Sequence, residues 1–148
     1  MTGVVVRPVE VEDKAEWCLF WCDYLAFYQT ERPDDVYNAT FPRLLSPDPA
    51  EFRGQVAVAD GRLVGLVHYL YLRTNWGLRN TCYLQDLYAD PAVRSTGVGR
   101  ALIQAVYAAV DRDDVQGPYW FTAADNATAR QLYDRIGVKT PFIRYRRP

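Results

Sequence analysis

Histidine is nearly missing from this chain: one residue, His68, in 148. Metal sites draw on several His, Cys, Asp or Glu side chains at set spacings, so no metal is expected. Cysteine is sparse too. Cys18, Cys22 and Cys82 make an odd set, which argues against a disulfide framework and reads as buried thiols in a reducing compartment. Long hydrophobic runs are lacking, so no segment is expected to span a bilayer. No secretory signal is seen either, and the expectation is a cytoplasmic protein with no membrane partner. Neither charge sign is in surplus, with a formal net charge of −1, which argues against nucleic acid as a partner. Neither G-x-G-x-x-G nor a loop ending in G-K-[ST] occurs, which excludes a dinucleotide fingerprint and a Walker loop. Repeats, low-complexity stretches and linkers are absent, and the length suits one domain over residues 1–148.

Aromatic residues, in contrast, are plentiful: four Trp and eleven Tyr. They fill a core, line a cleft or cover an interface. Val4-Val5-Val6 suits a first strand. Asp13 and Glu16 then form a capping-box pattern, and Trp17, Phe20, Trp21, Tyr24, Leu25 and Tyr28 follow at helical spacing. Pro33 restarts a second helix, which ends near Ser46-Pro47. Gln55–Ala59 and Leu63–Leu72 read as strands around the hairpin signal Asp60-Gly61. Thr81 to Ala89 is the next strand, so three strands form an antiparallel meander. A helix follows to about residue 111. Tyr119-Trp120-Phe121-Thr122 reads as a strand, Asn126 caps a last helix, and Gly137 ends it in a left-handed conformation. Thr140 to Tyr145 closes the chain as a final strand.

The most informative stretch is Arg94-Ser95-Thr96-Gly97-Val98-Gly99-Arg100. It follows a strand and opens an apolar helix. Backbone N–H groups converge at such a helix start, and the helix end adds partial positive charge, so an anion can be held there. Glycine lets a diphosphate approach the backbone closely. A second block, Asn126-Ala127-Thr128-Ala129-Arg130-Gln131-Leu132-Tyr133, lies downstream.

Together these blocks resemble the GNAT N-acetyltransferases. Arg94, Gly97 and Gly99 match the family's acetyl-CoA pyrophosphate loop, Arg/Gln-x-x-Gly-x-Gly/Ala. Asn126 and Tyr133 match its Asn-x-x-Ala-x-x-x-Tyr segment. The resemblance is closest to polyamine and histone-type members. It implies an α/β fold: a mixed central sheet of about six to seven strands, helices on both faces, and a splayed acetyl-CoA cleft. It also implies transfer of acetyl from acetyl-CoA to a primary amine on a small molecule or peptide. The backbone of Leu87, Tyr88 and Ala89 would receive the pantetheine arm, and Arg94, Ser95, Thr96, Gly97, Val98, Gly99 and Arg100 the pyrophosphate. Asn126 would contact the arm, and Tyr133 would protonate the leaving thiolate. The chain departs from the pattern at Gln85, where related members carry Glu, and at Ser95, where many carry Gly. The alternative is a catalytically silent acyl-CoA-binding sensor domain, which the neutral Gln85 favours. A third reading is an interaction module using its aromatic surface.

Asp86 admits two readings. A carboxylate on a central strand is costly unless solvated or paired, so it either steers or deprotonates a cationic amine, or pairs with an arginine. Leu84, Asp86 and Tyr88 are expected to share one face. On the acceptor side, Tyr24, Tyr28 and Trp21 frame an ammonium or pack the core. Asp23, Glu31, Asp34 and Asp35 present negative charge or are solvated surface. The basic tail Arg144-Tyr145-Arg146-Arg147 is a solvated strand end or sits near cofactor phosphates. The aromatic helix and terminal strand suit a homodimer or higher homo-oligomer.

Overall fold

At Asp60-Gly61 both residues take positive φ, 51° and 74°, the combination that a two-residue hairpin loop requires. The turn joins the second and third strands of the sheet. In the computed structural model, which describes residues 3–94 and 96–148, the strands are β1 (Val5–Pro8), β2 (Arg53–Ala59), β3 (Arg62–Leu72), β4 (Thr81–Ala89) and β5 (Gln116–Tyr119). The helices are α1 (Lys14–Phe27), α2 (Asp34–Leu44), α3 (Val98–Arg112) and α4 (Ala127–Ile136). The sheet runs in the order β1-β2-β3-β4-β5. Its first three pairings are antiparallel, and β4 pairs β5 in parallel. That parallel pair needs a crossover, and α3 supplies it. Among the described residues no helix is long and apolar enough to cross a membrane.

Each sheet face carries its own apolar layer. Trp17, Trp21 and Leu25 of α1 pack with Phe41 and Leu44 of α2 against Val56, Leu66 and Tyr88. Leu102, Ile103, Val106 and Val110 of α3 pack against Val64, Val67, Tyr69 and Leu84, and Leu132 and Ile136 of α4 rest on that layer's edge. Alternating strand positions feed the two layers.

Gly65 sets how closely α3 can lie. A Cβ there would stand 2.9 Å from both Leu102 Cδ1 and Val98 Cγ1, and 3.0 Å from the Tyr88 carbonyl oxygen. Gly65→Ala therefore overpacks the contact and is expected to cost about 1–3 kcal/mol, read from thermal unfolding. Val98 opens α3, so the same change should also displace the helix start and weaken coenzyme A binding, measurable by calorimetry. Unaltered stability and affinity would mean that α3 can shift freely.

Among the described residues the sheet has five strands rather than six to seven. The ladder expected over 119–122 spans Gln116–Tyr119 instead. Trp120, just past its end, packs its ring toward Tyr107 and Tyr133. Residues 140–145 form no strand. Their apolar side chains supply propensity, but a strand also needs an edge to pair with, and Phe142, Ile143 and Tyr145 are 78%, 77% and 86% exposed.

Gly137 is extended, at φ −133° and ψ −178°, rather than left-handed. A Cβ on it would lie 3.0 Å from the Trp120 ring, so glycine serves close approach there. The expected Asp13–Glu16 capping pair does not form. Asp13 instead accepts from the Glu10 N–H at 2.8 Å and from Arg7 at 2.8 and 2.9 Å, while Glu16 accepts from the Leu63 N–H at 3.0 Å.

Candidate active site

Two irregularities in β4 create the site. The first is its parting from β5. Thr81 pairs with Gln116 and Tyr83 with Tyr119, and there β5 ends. β4 runs on to Ala89, so from Leu84 onward no β5 residue faces it. Alternate backbone groups of this stretch point into the gap.

The second is a β-bulge. His68 pairs with Asp86 but Tyr69 pairs with Leu84, which leaves Gln85 as an extra residue. An inserted residue reverses the side-chain alternation. Before it, Cys82 and Leu84 belong to the layer under α3; after it, Leu87 and Ala89 do. Tyr88 joins the α1 layer, and Asp86 turns to that side as well. Leu84 thus does not share a face with Asp86 and Tyr88.

Asp86 finds a histidine as its partner, not an arginine. Its Oδ2 lies 2.8 Å from His68 Nδ1. His68 Nε2 in turn accepts from Trp17 Nε1–H at 2.9 Å. The imidazole is 2% exposed, and the Asp86 side chain 12%. The carboxylate therefore sits at the edge of the core, anchored on its inner side.

Tyrosines surround it. The Tyr24 hydroxyl donates to the Gln85 carbonyl at 3.4 Å, and burial, then the Asp86 charge, pushes its pKa far up. The same two causes raise Tyr28. Tyr83 is raised by burial, with Arg144 opposing and Asp86 reinforcing. The Tyr83 hydroxyl thus lies in the fields of both charges.

These residues line a cleft of about 1630 Å³. Tyr24, Tyr28, Tyr83 and Asp86 line it together with Tyr119, Phe121 and Tyr133. Tyr83 stacks on Tyr119 at 5.3 Å between ring centroids. Phe142, Ile143 and Arg144 of the C-terminal segment also line the cleft, and the Arg144 guanidinium lies 5.5 Å from the Phe121 ring centre. Tyr133 packs edge-on against Trp120. Burial pushes its phenol up to about 12, so it holds its proton.

The glycine loop sits at the start of α3. Gly97 takes φ 91°, where a side chain would be strained. The first intrahelical bond runs from Ala101 N–H to the Gly97 carbonyl, so the N–H groups of Val98, Gly99 and Arg100 precede the ladder, as in every helix first turn. Val98 is buried, Gly99 faces Leu132, and Arg100 is exposed. Thr96 donates its hydroxyl proton to the Val93 carbonyl. Arg94 lies over the Tyr88 and Phe27 rings. Ser95 lies outside the described residues. A positive-φ glycine before free first-turn amides, beside a strand with an open edge, fits a diphosphate joined to an amide-bearing arm.

The other sequence-predicted residues fall as follows. Leu87 lines the cleft, but Tyr88 and Ala89 contribute side chains to the core layers. Asn126 caps α4 through Oδ1, accepting from the Ala129 N–H at 3.4 Å, while its Nδ2 donates to Thr122 at 3.3 Å. Glu31 is exposed and does not line the cleft. His68, Trp17, Tyr83 and Arg144 were not singled out as site residues.

The Acetyltransferase (GNAT) family pattern matches residues 15–138. D-amino-acid N-acetyltransferase HPA3 of Saccharomyces cerevisiae (strain ATCC 204508 / S288c) is 34% identical over 146 residues, covering 97% of this chain and 90% of that protein. AAC(6')-Iy, in complex with the bisubstrate analog CoA-S-monomethyl-acetylneamine, superposes with a TM-score of 0.83 at 19% identity, over 99% of both chains. Ribosomal-protein-alanine N-acetyltransferase from Brucella melitensis biovar Abortus 2308 superposes with a TM-score of 0.79 at 18% identity, also over 99% of both. The last two likenesses concern the fold.

The chain belongs to the GNAT acetyltransferase family. It is an N-acetyltransferase that uses acetyl-CoA as co-substrate and an amine as acceptor.

Proposed function

We propose that residues 1–148 act as one domain that acetylates the amino group of a small amino acid, with Asp86 and Arg144 at the two ends of the acceptor. The observation that carries this reading is that Asp86 and Arg144, of opposite charge, line one cleft together with Tyr83. The S. cerevisiae relative, which acts on D-amino acids by its name, supports it. Asp86 receives the ammonium, with Tyr24, Tyr28 and Tyr83 around it; aromatic faces favour a cation. Arg144 receives the carboxylate through a charge-assisted contact.

Acetyl-CoA supplies the activated acetyl thioester. Asp86 draws a proton from the ammonium by way of water, freeing the nitrogen lone pair. Those backbone groups of Leu87, Tyr88 and Ala89 that face the open side of β4 hold the pantetheine arm and polarise the carbonyl. The loop from Arg94 to Arg100 holds the diphosphate, and Asn126 the arm. Tyr133 gives its phenol proton to the departing sulfur. A cytoplasmic location and a homodimer belong to the same proposal. Free cysteines support the first, and the exposed Phe142, Ile143 and Tyr145 support the second.

The test supplies acetyl-CoA with D- and L-amino acids and with the matching amines that lack the carboxylate, following thiol release. The amino acids should have a KM about ten- to hundredfold lower than their matched amines, the size of one hydrogen-bonded charge. Arg144→Gln should erase that difference. Equal use of acids and amines by the native enzyme would refute the amino-acid reading. Sedimentation of the same sample reads the dimer.

A further inference from the structure

We propose that His68 is a positioning residue for Asp86, and that Trp17 fixes it as a neutral imidazole carrying its proton on Nδ1. The inference rests on the reading of Asp86 as the amine-binding carboxylate and goes on to say what keeps that carboxylate charged and aimed.

The argument follows from donor and acceptor roles. An indole nitrogen only donates. Trp17 Nε1–H points at His68 Nε2 across 2.9 Å, so Nε2 must offer its lone pair. The ring proton then resides on Nδ1, 2.8 Å from Asp86 Oδ2, and is donated there. A second ring proton has no place: it would sit on Nε2, facing the indole N–H inside the core. Trp17 is fully buried and His68 is 2% exposed, so neither ring can turn away to water.

Two consequences follow. The inner neighbour of Asp86 is a neutral donor rather than an imidazolium, so no inner cation offsets the carboxylate that a substrate cation meets. The chain Trp17–His68–Asp86 also cannot relay the substrate's proton inward, since every hydrogen in it points toward Asp86. The proton leaves by the cleft. Tethering Oδ2 leaves Oδ1 as the oxygen that the cleft can use.

The chain has a single histidine, so the ring nitrogens of the native full-length protein can be observed by ¹⁵N NMR without ambiguity. The expected spectrum has Nδ1 protonated and Nε2 unprotonated, with the Trp17 indole proton close to Nε2. An imidazolium, or the Nε2–H tautomer, overturns the inference whatever the kinetics show.

Two variants then separate positioning from packing. His68→Asn keeps an N–H near the place of Nδ1 and should retain kcat/KM for a D-amino acid to within about threefold. His68→Gln reaches the place of Nε2, satisfies Trp17 and leaves Asp86 without its donor. It should lose roughly ten- to hundredfold in kcat/KM for the amine while KM for acetyl-CoA stays constant. Melting curves of both report any shared packing loss. Equal activity of the two variants at equal melting temperature overturns the positioning role. If Asp86→Asn leaves amine kinetics untouched while the native tautomer is as stated, the amine-site reading fails and the tautomer assignment stands.

Discussion

Asp86→Asn is expected to lower kcat/KM for the amine acceptor by about 10²–10⁴-fold, the range for losing a positioned acid–base group. The change is nearly isosteric. The Asn oxygen can still accept from His68 Nδ1, so the inner hydrogen bond persists and the fold should hold its melting temperature. What disappears is the negative charge and the proton acceptor. Affinity for coenzyme A, measured by calorimetry, should not change, because the glycine loop and the open β4 edge are untouched. Native amine kinetics in this variant would remove Asp86 from the mechanism and leave the tyrosines and Arg144 as a binding cleft without a base.

Tyr133→Phe is the second large effect, with kcat falling by about 10²-fold or more and KM for acetyl-CoA nearly unchanged. The phenyl ring stays, so the edge-on contact with Trp120 is preserved and stability should barely move. The native phenol has its pKa pushed up to about 12 by burial. The shift favours the neutral form, so the proton remains available as pH rises through the ordinary tyrosine value near ~10. An alkaline fall in native rate below that point would therefore come from another group. Unaltered kcat in Tyr133→Phe would show that sulfur leaves without its help.

Much of this fold is legible in the sequence where the signal is local. The expected strand Thr81 to Ala89 coincides with β4 at both ends. The Asp60-Gly61 turn and the Asn126 cap of α4 also form as read. Each depends on backbone preference within a few residues. What was not legible depends on partners far away in the chain. The Gln85 bulge is decided by how β4 registers against β3, so simple alternation placed Leu84 on the wrong face. The His68 partner of Asp86 is not legible because His68 and Trp17 lie 18 and 51 residues from their respective partners. As a lone histidine without other ligands, His68 drew attention only as evidence against a metal. Residues 140–145 have strand-like composition, but composition does not provide an edge to pair with. The basic tail is exposed, as one of its two readings expects, but it forms no strand, and Arg144 lies over the Phe121 ring in the aromatic cleft.

The neutral Gln85 amide offers no general base, yet the count of residues around it matters. One surplus backbone unit lets even-numbered positions of the strand point beneath the crossover helix before it and odd-numbered positions after it. Sequence drift can exchange the side chain at 85 with little penalty. Shortening the chain there by one unit would join Leu84 to Asp86 in an unbroken ladder, with Asp86 still opposite His68, and would take away the carbonyl that the Tyr24 hydroxyl binds, a loss that no replacement of neighbouring side chains repairs.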